Sequence, residues 1–446
     1  MRNNLKLLIG LMFCSLSDKI YCQDKSAFTL QEAVEFALKN NPTYLNSLLE
    51  EKNAVYKKNE ITGMGLPQVT GSFDLKNYIE IPTSLIPGEF FGAPAGSFIP
   101  VKFGTKYNAT AGFNASQLIF SSDYIFGVVA AKEFINLSKL NTSRNKSEIT
   151  AQVSKAYYNV IINKERLKLL DANVKRLEKM LSDVKAMNQQ GFVELIDVER
   201  LEVQYNNLQT EKEKIEKLIE LTYYMLKFQM GYSLEQQITL TDSLELNDSE
   251  SISDISIKDI SNRPDYKLLE TRQHLLDIDL KRQKFTYLPT LVGYGAYQYN
   301  AQRQDFDFLD SDKKWFKIAL VGGTINMNIF TGFQRHFKIQ QAKIASQTNQ
   351  NNLRNLELGA QLELTNASIQ YENSNKTLKN QEKNMALAKH IHEVALKKYE
   401  QGIGSNLELI NAETTLKEAE TNYYNAIYDV LVSKTDYLKA SGKLVK

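Results

Sequence analysis

An internal repeat restricts the fold of this chain more than any other sequence feature. Pro42 and Pro67 lie 25 residues apart, and so do Pro264 and Pro289, at a constant offset of 222 residues. Each proline pair encloses a helical stretch. Two copies are too few for a solenoid of stacked repeats. The spacing therefore predicts a pseudo-twofold architecture.

Further landmarks follow each proline pair in the same order. A β-like stretch ends in Ile-Phe, a long helical stretch follows, and a glycine precedes a second helix. The distance from Phe120 to Gly191 is 71 residues, and from Phe330 to Gly402 it is 72 residues. We therefore expect two structural repeats, residues 23–245 and 246–446.

Apolar residues in the helical stretches recur in alternating steps of three and four, which is a 3.5-residue period typical of supercoiled helices. From Leu409 to Ala440 the alternation is strict. A helix of about 64 residues is roughly 95 Å long at 1.5 Å per residue, which suits a tunnel or a rod. An antiparallel coiled-coil spacer is the alternative on the helices alone. The predicted long helices cover about 122–188, 193–230, 332–400 and 405–440.

Four shorter stretches are predicted strands, at about 67–78, 106–120, 289–300 and 316–330. Residues 107–116 alternate apolar or aromatic side chains with small polar ones, a pattern typical of transmembrane β-strands. A soluble sandwich with aromatic core residues is the alternative. Residues 79–105, which hold half of the prolines, are expected to form a long irregular loop outside the cell. Residues 301–314 are expected to form a short acidic loop.

Four strands are too few to close a lipid-facing barrel, which needs roughly eight. Unpaired strand edges are not tolerated in lipid, so the chain must associate with other copies. Three copies would supply twelve strands. The predicted fold class is an α+β membrane protein, with a β-barrel of four strands per chain continued by a long α-helical coiled-coil barrel.

Residues 1–22 are predicted to be a secretory signal, because Arg2 and Lys6 precede a short apolar stretch. Their removal leaves equal numbers of basic and acidic residues, which argues against a nucleic-acid partner. Both cysteines, Cys14 and Cys22, lie within this segment, so the exported chain needs neither disulfides nor thiolate metal sites. Lipidation at Cys22 is a weaker alternative, because the bulky Tyr21 precedes it.

No motif for catalysis or for phosphate or metal binding stands out. His390 and His392 are two residues apart and face different sides of a helix, so they do not share a metal. All four histidines are expected to be ordinary solvated residues. We predict no enzymatic activity, no cofactor and no metal.

Several segments together resemble the outer-membrane efflux, or TolC-like, family. They are TLQEAVEFALKNNP at 29–42, LPQVTGSF at 66–73, SQLIF at 116–120, GFVELIDVERLEVQYNN at 191–207, RPDY at 263–266 and YEQGIGSNLELINAETTL at 399–416. The resemblance implies a homotrimer in the outer membrane that extends into the periplasm. It also implies partners: outer-membrane lipid, a periplasmic adaptor (membrane fusion protein), and an inner-membrane pump of the RND or ABC type.

The resemblance implies a constriction at the periplasmic tip. Carried over by motif, the pore gate falls on Tyr399, Glu408, Asn411 and Asp197. The tip turns that dock the adaptor fall on Gly191, Gly402 and Gly404. Asn411 is neutral where some relatives have an acidic residue, and Gly404 stands where a basic residue can occur. These differences imply a gate that is held closed less tightly and that blocks cations more weakly. The alternative for Glu408 is a solvated helix carboxylate.

The predicted function is a channel for passive export of substrates from a tripartite efflux pump or a type I secretion system. The alternative is a periplasmic coiled-coil adaptor without a channel of its own. An adaptor is expected to carry one helical hairpin rather than two related halves with membrane-type strands.

Overall fold

A computed structural model of the chain describes residues 26–242 and 257–444. The predicted signal at 1–22 and the predicted boundary between repeats at 245/246 lie outside the described residues. The chain divides into two compact units. The helical unit comprises residues 1–46, 143–263 and 359–446, and the sheet unit comprises 47–142 and 264–358. Each unit takes segments from both halves of the sequence, so neither coincides with a predicted repeat.

The helices and strands follow the order of the sequence pattern. The strands are β1 (Ala27–Phe28), β2 (Gln68–Asn77), β3 (Thr83–Pro87), β4 (Phe98–Lys102), β5 (Tyr107–Phe120), β6 (Thr239–Leu240), β7 (Thr290–Arg303) and β8 (Phe316–Asn326). The helices are α1 (Leu30–Asn40), α2 (Pro42–Gly63), α3 (Ser122–Gln189), α4 (Leu195–Met230), α5 (Pro264–Phe285), α6 (Gln334–Glu400) and α7 (Asn406–Ala440). Short 3₁₀ helices cover Gly88–Phe91 and Ile257–Asn262.

The sheet unit is built on one antiparallel four-stranded sheet in the order β2-β5-β7-β8. Because side chains alternate across a strand, Phe73, Ala111 and Tyr299 share one face by register. Asn114 and Gln298 lie on the opposite face, where their side chains are hydrogen-bonded at 2.8 Å. The expected separation into an apolar and a polar face is therefore present in β2 and β5.

Two strand ends differ from the sequence prediction. β7 continues to Arg303, three residues beyond the expected end, because its ladder with β5 runs to the pair Tyr107 and Arg303. β8 ends at Asn326 rather than at about 330. The chain then turns through Gly332 and Phe333, which both have positive φ angles. Residues 327–330 therefore do not extend the ladder.

The prediction of an irregular loop at 79–105 is wrong in part, because β3 and β4 form an antiparallel hairpin there. The prolines suggested irregular structure, since proline cannot donate a ladder hydrogen bond. In a two-stranded sheet each strand has a free edge that tolerates a missing N–H group. Pro87 pairs with Phe98 and Pro100 pairs with Leu85 in this arrangement.

The helical unit begins with the capping box that the sequence predicts. The Thr29 hydroxyl accepts a hydrogen bond from the Glu32 backbone, and the Glu32 carboxylate accepts one from the Thr29 backbone. The α3 and α4 helices pack through an apolar cluster that includes Leu177, Leu181 and Leu201. Smaller apolar clusters join α6 and α7. Among the described residues, no helix has the length and apolar character needed to cross a membrane.

The prediction that every histidine is solvated is wrong for His392. Its side chain is 8% exposed, and its Nε2 lies 2.8 Å from the Glu413 carboxylate. Arg176 of α3 approaches the same carboxylate oxygen at 3.4 Å. A single residue on α7 thus joins side chains from α6 and α3. No local spacing in the sequence indicates this arrangement, because the three residues come from three helices.

Candidate functional site

The candidate site is the pair of reversals in the helical unit where α3 turns into α4 and α6 turns into α7. Gly191 and Gly402 have φ angles of 78° and 74°, in the left-handed region that favours glycine. The residue after each glycine donates a backbone hydrogen bond five residues back, from Phe192 to Met187 and from Ile403 to Lys398, both at 3.0 Å. These bonds terminate both helices in the same way.

Gly404 is required for a different reason. A Cβ atom at this position would lie 2.9 Å from the Lys398 Cβ and from the Tyr399 nitrogen. The chain therefore doubles back tightly onto the end of α6. Ser405 then caps α7, because its hydroxyl accepts a hydrogen bond from the Glu408 backbone at 3.1 Å.

The structure brings the two reversals side by side. The Asn406 side chain donates to the backbone oxygen of Asp197 at 3.4 Å. The Tyr399 hydroxyl lies 3.9 Å from the Met187 sulfur. Burial raises the pKa of Tyr399, and the negative charges of Asp197 and Asp183 raise that pKa further. Two of the predicted gate residues, Tyr399 and Asp197, are therefore close enough to interact electrostatically.

Glu408 has an ion partner that the sequence analysis missed. Its carboxylate is 3.0 Å from the Lys398 ammonium, and both side chains are about half exposed. Lys398 and Glu408 flank the turn at nearly equal distances, so hairpin symmetry would have identified the pair. Asn411 is exposed, and its backbone oxygen accepts a hydrogen bond from Thr415. Asp197 is 3.6 Å from Arg200.

Among residues 26–242 and 257–444, no group of three or more histidine, cysteine or acidic residues is arranged to hold a metal ion. The tip is instead a set of capped turns, ion pairs and one partly buried tyrosine. This arrangement suits a structural or gating role.

The fold is that of known outer-membrane channels. The CmeC channel of Campylobacter jejuni superposes with a TM-score of 0.76 at 18% identity, over 94% of this chain and 86% of that chain. The MtrE channel of Neisseria gonorrhoeae gives 0.75 at 16% identity, over 93% and 88%. VceC of Vibrio cholerae gives 0.72 at 15% identity, over 93% and 96%. No curated protein sequence matches the chain.

Residues 260–443 match the family model of outer membrane efflux proteins. The matched residues make up less than half of the chain, and the match agrees with the resemblance seen in the sequence. The family is one of channels, a kind of transport protein. The fold and this partial match agree with the channel hypothesis rather than with the adaptor alternative.

Proposed function

We propose that this protein forms a homotrimeric outer-membrane channel for passive export of substrates delivered by a pump. The observation that carries the proposal is the pair of open edges of the four-stranded sheet. Among the described residues, β2 pairs only with β5, and β8 pairs only with β7. Unpaired backbone groups cannot face lipid, so another copy must cover each edge.

The strand directions allow this closure. Neighbouring strands alternate in direction across the sheet, so β8 of one copy runs antiparallel to β2 of the next. Three copies give about twelve strands, which lies in the range of closed barrels. The exposed apolar side chains Val69, Phe73 and Val321, which share one face, would then meet lipid.

The helical unit also has two open sides. Apolar clusters join α3 to α4 and α6 to α7, while ion pairs join α7 to both α3 and α4, and α4 and α6 keep exposed faces. Each carries exposed apolar residues at helical spacing, and these faces suit packing of α4 against α6 of the next copy. The residues are Leu218, Leu221, Met225 and Phe228 on α4, and Leu387, Ile391 and Val394 on α6.

The tip turns are the proposed docking elements for a periplasmic adaptor linked to an inner-membrane pump of the RND or ABC type. Phe192 and Ile403, which follow Gly191 and Gly402, are 76% and 75% exposed. Large apolar side chains held on rigid turns suit a protein partner. Energy for transport would come from that pump.

The proposed gate comprises Tyr399, Glu408, Asn411 and Asp197. In a trimer three Glu408 carboxylates would approach one axis and attract cations, as acidic rings do in cation channels. Lys398 changes this expectation, because each Glu408 carries its own counter-ion at 3.0 Å. We therefore propose that cation selectivity depends on the balance between these two side chains.

Conductance of the purified protein in planar bilayers tests the function and the gate together. Glu408→Gln should reduce cation selectivity and block by multivalent cations, because it removes the ring of negative charge. Lys398→Gln should increase cation selectivity and block by multivalent cations, because it removes the counter-ion of each Glu408 carboxylate. The two substitutions are matched controls for each other. Absence of any conductance from the folded wild-type protein would refute the channel, and equal selectivity in all three proteins would refute the gate.

A further inference from the structure

The connection between β8 and α6, in the sheet unit, carries a group of exposed apolar side chains. Met327, Ile329, Phe330, Phe333 and Phe337 are each between 60% and 93% exposed. The rings of Phe330 and Phe333 lie 5.7 Å apart, edge to face, so they form one surface. Large apolar side chains that are exposed together, rather than scattered singly, mark an interaction site.

The corresponding connection in the first half of the sequence is much shorter. β5 ends at Phe120 and α3 begins at Ser122, whereas residues 327–333 separate β8 from α6. Phe120 is half-buried and pairs with Leu291 in the ladder, while its counterpart Phe330 lies outside the ladder and is 75% exposed. The longer connection therefore releases the repeated Ile-Phe pair from the sheet in the second half only.

The connection has a defined shape, because Arg335 in the first turn of α6 binds it. The Arg335 guanidinium donates to the Thr331 hydroxyl at 3.4 Å and to the Asn328 backbone oxygen. It also donates to the Thr286 backbone oxygen at 3.3 Å, which ties the connection to the turn after α5. Phe333 keeps a φ angle of 62°, which is unfavourable for a bulky residue. The apolar surface is therefore held exposed by specific contacts.

Arg335 also places a positive charge beside this surface. Its hydrogen bonds go to neutral oxygens, and its guanidinium carbon lies 4.6 Å from the centre of the Tyr287 ring. Within residues 26–242 and 257–444, no carboxylate forms an ion pair with Arg335. A guanidinium binds phosphate through charge-assisted hydrogen bonds. A cation next to an apolar surface thus complements a molecule that carries a phosphate next to hydrocarbon chains, as a phospholipid does.

The position of the connection also favours phospholipid over a protein partner. β8 carries Val321 and Ile325 on the apolar face of the sheet, where they are 92% and 70% exposed, and this face would meet lipid in the proposed barrel. The connection follows at the end of the sheet where α3 and α6 begin, which is the periplasmic end in the proposed orientation. Aromatic side chains lie at the boundary between hydrocarbon and headgroups, and long basic side chains reach the headgroups there.

We propose that the β8–α6 connection is a phospholipid-binding site in the periplasmic leaflet of the outer membrane. Ile329, Phe330 and Phe333 contact the acyl chains, and Arg335 binds the phosphate. The inference rests on the proposed barrel. It assigns a specific lipid contact to the longer connection of the second half.

Tryptophan fluorescence in liposomes tests the contact with acyl chains, since Trp315 is the only tryptophan of the chain. In a Trp315→Phe background, Phe330→Trp should lose most of its fluorescence when the phosphatidylcholine carries bromine on its acyl chains. Phe73→Trp and Ser72→Trp are matched controls, because these neighbours on β2 lie on the apolar and the polar face of the sheet. The first control should be quenched and the second should not.

The controls separate failure of the site from failure of the channel. Equal quenching of the two β2 variants would refute the barrel and the lipid site with it. If the two β2 variants differ as expected but Phe330→Trp is not quenched, protein covers the connection. That result would refute the phospholipid site and leave the proposed channel intact.

Titration of the detergent-purified protein with phosphatidylglycerol, followed by native mass spectrometry, tests the role of Arg335. Arg335→Gln should bind this lipid about tenfold more weakly, because it removes a charge-assisted hydrogen bond to the phosphate. The glutamine amide still offers donors to the Thr286 and Asn328 backbone oxygens. Lys343→Gln removes the same charge from an exposed position on α6 and should bind as the wild type does. Equal binding by all three proteins would overturn the proposal.

Discussion

Two helix interfaces within the helical unit differ sharply in chemistry. The interface between α3 and α4, inside the first half of the sequence, is apolar over most of its length. Its buried residues include Leu170, Val174, Leu177, Leu181 and Val184 on α3 and Val198, Leu201, Leu208 and Ile215 on α4. An interface of this kind is stabilised in proportion to the apolar area that it removes from water.

The interface between the two halves, where α7 meets α3 and α4, has apolar contacts near the turns, such as that of Ile410, and polar or charged contacts elsewhere. Lys155 pairs with Asp436 at 2.5 Å, Asn173 donates to Glu420 at 3.2 Å, and Lys417 pairs with Glu211. Partly exposed ion pairs contribute about 0–1 kcal/mol each. We therefore expect the apolar interface within the α3–α4 hairpin to contribute more to stability than the polar contacts between the halves.

The largest expected effect comes from opening a cavity in the apolar interface. Leu201 is 0% exposed and lies inside the α3–α4 cluster. Leu201→Ala should lower the free energy of unfolding by about 2–5 kcal/mol, because it removes apolar contacts and leaves a cavity. Denaturant titration followed by helical circular dichroism measures the change.

Val203→Ala is the matched control, because Val203 lies on the same helix and is 60% exposed. It should change the free energy of unfolding by less than about 0.5 kcal/mol. Equal effects of the two truncations would show that the apolar interface does not dominate the stability of the hairpin.

A smaller effect is expected at Glu413, a largely buried charge in the interface between halves. Glu413 is 15% exposed and is shared by His392 and Arg176. Glu413→Gln removes the charge that both partners face, and leaving such groups poorly satisfied costs about 1–3 kcal/mol. In the same titration, the free energy of unfolding of this variant should therefore lie between those of Leu201→Ala and the wild type.

Glu418→Gln is the control on the same helix, since Glu418 is exposed. Its stability should match that of the wild type. If Glu413→Gln were equally neutral, the buried cluster would contribute no more than an exposed pair, and the interface between halves would be uniformly weak.

The apolar packing within the helical hairpins was predictable from the sequence, because a local rule encodes it. The steps of three and four on α7 select Leu409, Leu416 and Val430, and all three are buried. The charged contacts were not predictable in the same way. Glu413 and His392 are separated by a helix reversal, and Arg176 comes from the other half of the chain. No spacing on one helix specifies such a set.

The turns at the tip also combine a feature that the sequence predicts with one that it does not. A glycine after each long helix predicts a reversal, and the positive φ angles of Gly191 and Gly402 agree with that prediction. The partner of Glu408 depends on how two helix ends face each other, and the sequence analysis did not identify Lys398. The pore-facing role of Glu408 is still a prediction, because it depends on contacts between copies.

The smallest expected effect concerns the pair of Glu148 on α3 and Lys439 on α7, and it is pH-dependent. The hydrogen bond from Lys439, at 2.5 Å, lowers the pKa of Glu148 below its ordinary value of 4.5. Lys155 and a hydrogen bond from Gln152 lower it further, while partial burial opposes them. A carboxyl whose pKa is lower in the folded protein stabilises the fold above its unfolded pKa. That contribution is lost as the pH falls through the folded pKa.

Glu148→Gln should therefore be less stable than the wild type at pH 7, and the two proteins should converge in acid as the pH falls through the lowered pKa of Glu148. The difference should stay within about 1 kcal/mol, because both side chains are partly exposed, and high salt should reduce it through screening. Unfolding titrations at both pH values, combined with Lys439→Met in a double-mutant cycle, measure the coupling between the two side chains. A coupling that survives both acid and high salt would show that this contact does not depend on charge. It would then not differ in kind from the contacts of the apolar α3–α4 interface.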